Sequence, residues 1–275
     1  MSGQYNLDEG HMRVAVNELG LRNAAESFSQ AEPFPHLVVD NFFPQELACA
    51  LEREFPPYGA PQWHEYDNPL ELKKTCNNWI AFPALTYRVF NFLNSPEIIA
   101  LLTSALQLQR LYPDSGLNGG GWHVHGRGGK LNTHLDYSIH PNLGLQRKLN
   151  LIVYLTEAWQ LDWGGGLGLW SHDEARGGPG ELVKEVPPLF NRCVLFDTTQ
   201  HSWHGLPNPL TCPQAVLRKS IAVYYLSDAP TDADARGKAL FAPTLAQAAD
   251  PAVLELIRKR AGVNTAADVY RSEIT

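Results

Sequence analysis

The sequence predicts a mainly β chain with flanking helices, an α+β arrangement around a barrel or sandwich core. Three observations carry this. Between about Gly119 and Asp228, short runs rich in β-formers are separated by Gly, Pro and Asn at the spacing of an all-β barrel or sandwich. Ahead of them, residues 33–112 mix a strand signal with helix starts marked by proline and serine. A 44% hydrophobic content over 275 residues is globular and sufficient for one large core.

Along the chain, PFPHLVVDNFFPQELACALEREFPP reads as a strand at His36–Val39, then a helix from near Pro44 that ends before Pro56–Pro57. A second helical stretch, about Ala84–Asn94, precedes Ser95–Pro96, a helix-start signal for the apolar segment through Leu111. The β-rich runs follow: KLNTHLDYSI, RKLNLIVYLT, GGLGLWS, GELVKEV, RCVLFDTT and RKSIAVYYLS. After Pro230 the main signal is a helix at Pro251–Arg260. The expected layout is one structural domain: residues 1–115 as a strand/helix region packing on the core, 116–230 as the catalytic core, and 231–275 as a helical extension. Gly10-His11-Met12 resembles a cloning scar, so residues 1–12 carry little weight.

Composition excludes several classes. No apolar run approaches the roughly 20 residues of a membrane helix, and no charged-then-apolar leader is present. Cys49, Cys76, Cys193 and Cys212 lack Cys-x-x-Cys spacing, which points to reduced thiols and a cytoplasmic protein. A net charge of −7 disfavours nucleic acid as a partner. Neither a membrane nor a nucleic-acid role is expected.

The segment that carries chemistry is KLNTHLD at residues 130–136. With 10 His in the chain, chance alone places a His-x-Asp in about one of every two such sequences, so the pair by itself proves nothing. On a strand, however, residues i and i+2 share a face with Cα atoms about 6.6 Å apart, and Asn132, His134 and Asp136 would form one polar row. Facing a barrel interior, such a row is costly unless something such as a metal satisfies it. Facing solvent it is an ordinary wet surface, and spacing alone leaves both readings open. Two histidines and one carboxylate on one face would hold a divalent iron and leave the opposite positions open. A third ligand would then come from RCVLFDTTQHSWHGLPNP, which places His201 and His204 just beyond an apolar strand. RKSIAVYYL follows, with Arg218 and Ser220 on one strand face.

Together GGGWHVHGRGGKLNTHLDYSIH, RKLNLIVYLTEAW, WGGGLGLW, RCVLFDTTQHSWHGLPNPL and RKSIAVYYL resemble the iron(II)/2-oxoglutarate-dependent dioxygenase superfamily, in its prolyl-4-hydroxylase-like branch. The resemblance covers roughly residues 33–228 and rests on the order and spacing of several motifs. It implies that the strands form a double-stranded β-helix, the jelly roll shared with cupins. It further implies metal ligation and catalysis by His134, Asp136 and His204, with His201 the rival for the distal position. Arg218 matches the residue that pairs with the far carboxylate of 2-oxoglutarate, and Ser220 matches the hydroxyl two residues on. A guanidinium offers that carboxylate a bidentate fork. Tyr154 falls where the branch often places a tyrosine on the same carboxylate, or it is a core aromatic. Asn150 shares its face and lines the pocket or is a satisfied core residue. The 14-residue interval from His204 to Arg218 is longer than in many relatives and contains a Pro-rich loop.

Other residues fall outside the motif set. His123 and His125 alternate on a strand, yet the family places its metal elsewhere, so they shape the pocket or the surface. Gly164–Gly166 fits a tight turn at a strand start. His140, His172 and Asp173 read as loop surface. Lys73, Lys74 and Asn77 could lie on a segment that covers the substrate.

The resemblance implies iron(II), 2-oxoglutarate and dioxygen, with ascorbate as an optional reductant, and release of succinate and CO2 as a C–H bond is hydroxylated. Asp136 fills the carboxylate position, so no vacancy remains for chloride as in the halogenating relatives. The substrate would be a small molecule, an amino acid or a peptidyl residue. Two other classes stay open: a cupin-like metalloenzyme that needs no Arg218, and a non-catalytic binding module on the same scaffold.

Overall fold

The computed structural model describes residues 12–261 apart from residue 200. Most of the N-terminal scar-like tripeptide thus lies outside the described residues. No helix among those described is long and apolar enough to cross a membrane. Helix α1 (Glu18–Ala25) and strand β1 (His36–Val39) lead into α2 (Gln45–Arg53), the hairpin β2 (His64–Asn68) and β3 (Glu71–Cys76), then α3 (Ala84–Leu93) and α4 (Pro96–Ala105). The strands β4 (Tyr112–Pro113), β5 (Gly121–His125), β6 (Lys130–Leu131), β7 (His134–Leu135), β8 (Gln146–Tyr154), β9 (Leu167–Asp173), β10 (Gly178–Val186), β11 (Cys193–Asp197), β12 (His204–Gly205) and β13 (Arg218–Ser227) follow. Strand β14 (Leu240–Phe241) and helix α5 (Pro251–Ala261) complete the described chain.

Two antiparallel sheets result. The larger runs β1-β11-β8-β13-β5-β3-β2, with β4 on β13 and β6 on β3; the smaller runs β10-β9-β12-β7-β14. Strand alternation divides the large sheet into a greasy face and a functional one. Leu149, Leu151 and Val153 of β8, Ile221, Val223 and Tyr225 of β13, and Trp122 and Val124 of β5 join Leu47, Leu51, Phe90 and Leu102 of the helices in the main core. The intervening residues Asn150 and Ile152 of β8, Ser220, Ala222 and Tyr224 of β13, and His123 and His125 of β5 face the other way and line a cavity. Period-two patterning therefore builds the core and the site from the same strands.

The helices follow simple local rules. Leu47, Ala48, Ala50 and Leu51 make one buried face of α2. In α4, Ser95 caps the Ile98 amide and Pro96 occupies the first turn, where its missing N–H costs nothing. That helix stops at Ala105 rather than running to Leu111, because Gln107 adopts φ 54°, a left-handed backbone incompatible with continuing the helix. All four cysteines are free, three of them buried.

A second departure concerns KLNTHLDYSI, expected as one strand. Lys130–Leu131 pairs with β3 in the large sheet, whereas His134–Leu135 pairs with β12 and β14 in the small one. The chain changes sheets at Asn132, whose side-chain amide donates to the Ala242 carbonyl and to Gln247 Oε1 at 2.6 Å. These long-range bonds hold Asn132 at the crossing between sheets, so it does not share a polar row with His134 and Asp136. His140, expected on the surface, is buried: its Nδ1 accepts the amides of Asn142 and Leu143, and its Nε2 lies 3.6 Å from Asp114.

Helix α5 is tied to the sheet by a buried charge cluster. Arg260 and Lys73 both pair with Glu71, which is 1% exposed. Burial alone would raise the Glu71 pKa, but the two cations override it and hold the carboxyl at about 2, well below its usual 4.5. A depressed folded pKa stabilises the fold above the unfolded value near 4.5, and that stabilisation is lost as pH falls from there towards 2. Glu71→Gln is expected to lower the unfolding free energy of the metal-free protein at pH 7 by about 3 kcal/mol, with the gap to wild type narrowing below pH 4.5. Urea unfolding at pH 7 and pH 3 measures this; a gap that stays constant between the two would sink the ion-pair account.

Candidate active site

Strands β7 and β12 pair so that His134 and His204 stand directly opposite each other. Their ring centroids are 4.3 Å apart. Asp136 follows one residue beyond the end of β7. Each imidazole makes the same local bond: Nδ1 of His134 contacts the Asn132 carbonyl at 2.9 Å, and Nδ1 of His204 contacts the Ser202 carbonyl at 2.8 Å. A carbonyl can only accept, so both Nδ1 atoms carry hydrogen, and a neutral ring so tied presents its lone pair at Nε2. Those lone pairs point towards one carboxylate, with Nε2 of His134 3.7 Å from Asp136 Oδ1 and Nε2 of His204 3.8 Å from Oδ2. The contacts exceed hydrogen-bond length, and all three donors fall within 4.8 Å of one another.

Packing locks the donors. His134 stacks on Phe241 and His204 meets the edge of Phe196. Burial, aided by the neighbouring His204, lowers the His134 pKa to about 3, so the ring is neutral as a ligand must be. For Asp136, burial would raise the pKa, but His204, Arg147 and His134 outweigh it and bring the value to about 2. The carboxylate is further held by Asn150 Nδ2 at 3.4 Å, which also donates to the Tyr224 hydroxyl. Arg147 lies 3.5 Å from Asp136, its guanidinium sandwiched 3.3 Å and 3.4 Å from the ring centroids of Tyr137 and Tyr224. Two imidazoles with fixed tautomers and one ionised carboxylate are the donor set that suits a divalent first-row metal, and the second set of partners orients each of them.

The triad opens on a cavity of about 300 Å³ that also reaches Arg218 and Ser220. Arg218 is buried, and among the described residues no carboxylate pairs with it. Its Nε donates to the Gly165 carbonyl at 2.6 Å, and its guanidinium lies over the Tyr154 ring. Gly165 has φ +80°, and an added Cβ would press on Arg218 Cδ at 3.0 Å. The glycine run thus lets the backbone approach and aim the guanidinium. Ser220 sits opposite Tyr154 on one side and His123 on the other. The Tyr154 ring packs with Leu167 and Phe196 rather than lining the cavity, and its hydroxyl is engaged with the Arg218 guanidinium. Both ring nitrogens of His125, the cross-strand neighbour of Arg218, are buried and unpartnered. Burying such polar atoms without partners is costly, and an anionic, oxygen-rich ligand on Arg218 would satisfy them. The residues present therefore fit both a divalent metal and a dicarboxylate.

Among the sequence candidates, His134, Asp136, His204 and Asn150 come together at the triad, and Arg218, Ser220 and the Tyr154 hydroxyl gather further along. His201 does not join them. It is exposed, adopts φ 84°, and stacks on His172 at 3.8 Å. His172 and His201 with Glu174 form a second, mostly exposed cluster. There the Trp203 indole N–H donates to His172 Nδ1, which places the ring proton of the neutral form on Nε2 and away from a metal-binding arrangement. Lys219 and Lys148, other cations near the β13 and β8 motifs, pair with Glu52 and Asp197. Arg147, Tyr137 and Tyr224 are cavity residues that the motifs did not single out as ligands, whereas Lys73 and Asn77, from the segment expected to cover the substrate, do line the cavity.

Two antiparallel sheets with His134, Asp136 and His204 at a cavity that both sheets line have the architecture of a double-stranded β-helix. Residues 120–241 match the 2OG-Fe(II) oxygenase superfamily. Among solved structures it is similar to a Pseudomonas putida prolyl-4-hydroxylase, with TM-score 0.55 and 15% identity over 76% of this chain and 100% of that one. It is also similar to a Trichoplax adhaerens prolyl hydroxylase, at TM-score 0.53 and 16% identity over 82% and 94% of the two chains. A curated relative, mouse prolyl 3-hydroxylase OGFOD1, is 32% identical over 79 residues, which is 29% of this chain and 14% of the relative. The matched stretch is thus a small part of that relative's length.

Proposed function

We propose that the protein is an iron(II)- and 2-oxoglutarate-dependent hydroxylase acting on a C–H bond of a small molecule, an amino acid or a peptidyl residue. The observation that carries this is the tautomer lock: both imidazoles are tied through Nδ1 to carbonyls, so that both Nε2 atoms face Asp136 in the cavity that contains Arg218. His134, Asp136 and His204 would hold the iron, which with 2-oxoglutarate supplies the activation of dioxygen for C–H hydroxylation, giving succinate and CO2. Arg218 binds the far carboxylate of 2-oxoglutarate, with the Ser220 and Tyr154 hydroxyls as hydrogen-bond partners. Asn150 and Arg147 keep the Asp136 carboxylate oriented. Phe196, Phe241 and Leu167 exclude water around the histidines and the cosubstrate.

The Trichoplax neighbour is in complex with a peptide fragment, which supports a peptidyl or small-molecule substrate. Four free cysteines support a cytoplasmic setting. The deciding experiment is anaerobic titration with iron(II) and then 2-oxoglutarate. A weak visible charge-transfer band is expected on adding the second component. Iron binding without that band would favour a cupin-like enzyme that does not use 2-oxoglutarate, and loss of both would favour a binding module.

A further inference from the structure

Two contacts hold the His134 ring, and each is backed by a residue of the C-terminal extension. The first is the tautomer lock. The Asn132 carbonyl accepts from His134 Nδ1, and the Asn132 side chain is pinned by the Ala242 carbonyl and by Gln247 Oε1. Gln247 closes the short turn Leu245–Gln247, where its Oε1 also accepts the Thr244 amide and its Nε2 donates to the Pro69 carbonyl at 2.8 Å. The second is the ring contact. Phe241 stands opposite His134 in the β14–β7 pair and stacks on it, with centroids 5.0 Å apart and planes 21° from parallel. The Arg260 guanidinium of α5 lies over that phenyl ring at 4.5 Å, and Arg260 pairs with the buried Glu71. Val253 of α5 joins Phe241 and Leu70 in one apolar cluster.

The family match ends at residue 241, so Gln247 and Arg260 lie beyond the matched stretch. His204 is held differently. Its Nδ1 is tied to Ser202, whose hydroxyl donates to the Thr199 carbonyl, and its ring meets Phe196 of β11, all within residues 196–204. The two imidazoles therefore draw their support from separate parts of the chain. Groups that orient a ligand from behind commonly change metal affinity by about ten- to a hundredfold when lost.

We infer that residues 241–260 form a positioning element of the metal site, in which Gln247 acts on His134 through Asn132 and Arg260 acts on it through Phe241. This takes His134 as a metal ligand and so rests on the hydroxylase reading. The same two residues grip the β2–β3 hairpin at Pro69 and Glu71, so hairpin and ligand share one support.

The test uses the full chain, metal-free and labelled with 15N-histidine. The ring N–H signals of His134 and His204, assigned from His134→Ala and His204→Ala, report the two locks separately. Three variants are compared: Gln247→Ala, Phe241→Leu, and Glu71→Gln combined with Arg260→Met, which removes the ion pair without stranding one of its charges. Each should speed exchange of the His134 ring proton with water by roughly tenfold or more and leave His204 as in wild type. Manganese(II) affinity, titrated on the same proteins, should fall by roughly tenfold. Gln247→Glu keeps an acceptor for Asn132 and should restore both readouts. Equal acceleration at both histidines means general loosening and overturns the positioning role. An unchanged His134 signal in either Gln247→Ala or the double variant overturns the extension's part in it, even where Phe241→Leu has an effect. Should the double variant not fold, Gln247→Ala and Gln247→Glu, in a half-buried turn, still decide the matter. Wild-type protein that binds no manganese overturns the hydroxylase reading, whereas the ring signals of the metal-free protein test the positioning by themselves.

Discussion

Asp136→Ala is expected to abolish succinate formation and to weaken iron(II) binding by roughly a hundredfold or more, since losing even a group that merely orients a ligand costs up to about a hundredfold. The carboxylate is the one anionic donor of the three, and both Nε2 lone pairs converge on it. Removing it leaves two neutral imidazoles and the Arg147 charge facing the metal. The fold should survive, because Arg147 remains sandwiched between Tyr137 and Tyr224 and bonded to the Asn118 carbonyl. His204→Ala should behave like Asp136→Ala. His201→Ala should retain metal and turnover, because His201 stacks on His172 outside the triad. Metal analysis after desalting, together with a succinate assay, separates these cases. Substantial turnover in Asp136→Ala would sink the triad, and loss of metal from His201→Ala alone would exchange the two histidines.

The extent to which this site was legible in the sequence follows from which interactions are local. Strands β8, β11 and β13 were readable as short apolar runs rich in β-formers, and period-two geometry within a strand placed Asn150 with Tyr154 and Arg218 with Ser220. The break at Asn132 was not readable: it depends on Ala242 and Gln247, more than a hundred residues away. The β2–β3 hairpin was missed for a different reason. HEYDN and ELKKTC are polar strands at the end of the large sheet with residues lining the cavity, so no hydrophobic alternation marks them. His140 was misplaced because its loop surroundings look solvent-exposed, yet Asp114, from the turn after β4, covers it. Motif order indicated the triad, but it could not reveal Arg147 between two tyrosines, since that placement comes from the meeting of distant strands.

Arg218→Ala is expected to raise the 2-oxoglutarate dissociation constant about thirty- to several-thousand-fold while leaving iron affinity nearly unchanged. The guanidinium is buried, held by the Gly165 carbonyl and stacked on Tyr154, so it is pre-aimed and needs little ordering when the carboxylate arrives. Truncation removes a charge-assisted and potentially bidentate contact from a partly dry site and strands a carboxylate there, a cost of roughly 2–5 kcal/mol. At about 1.4 kcal/mol per tenfold, that range gives the change in affinity. Arg218→Lys should recover part of the loss, because the charge remains while the planar fork and the Gly165 contact are lost. Anaerobic 2-oxoglutarate titration of the iron-loaded variants measures both. Lys148 and Lys219 are engaged by Asp197 and Glu52, so an unchanged affinity in Arg218→Ala would leave Arg147 or Lys73 as the cation that holds the cosubstrate. In that event Arg147 and Lys73 variants would show the 2-oxoglutarate defect instead.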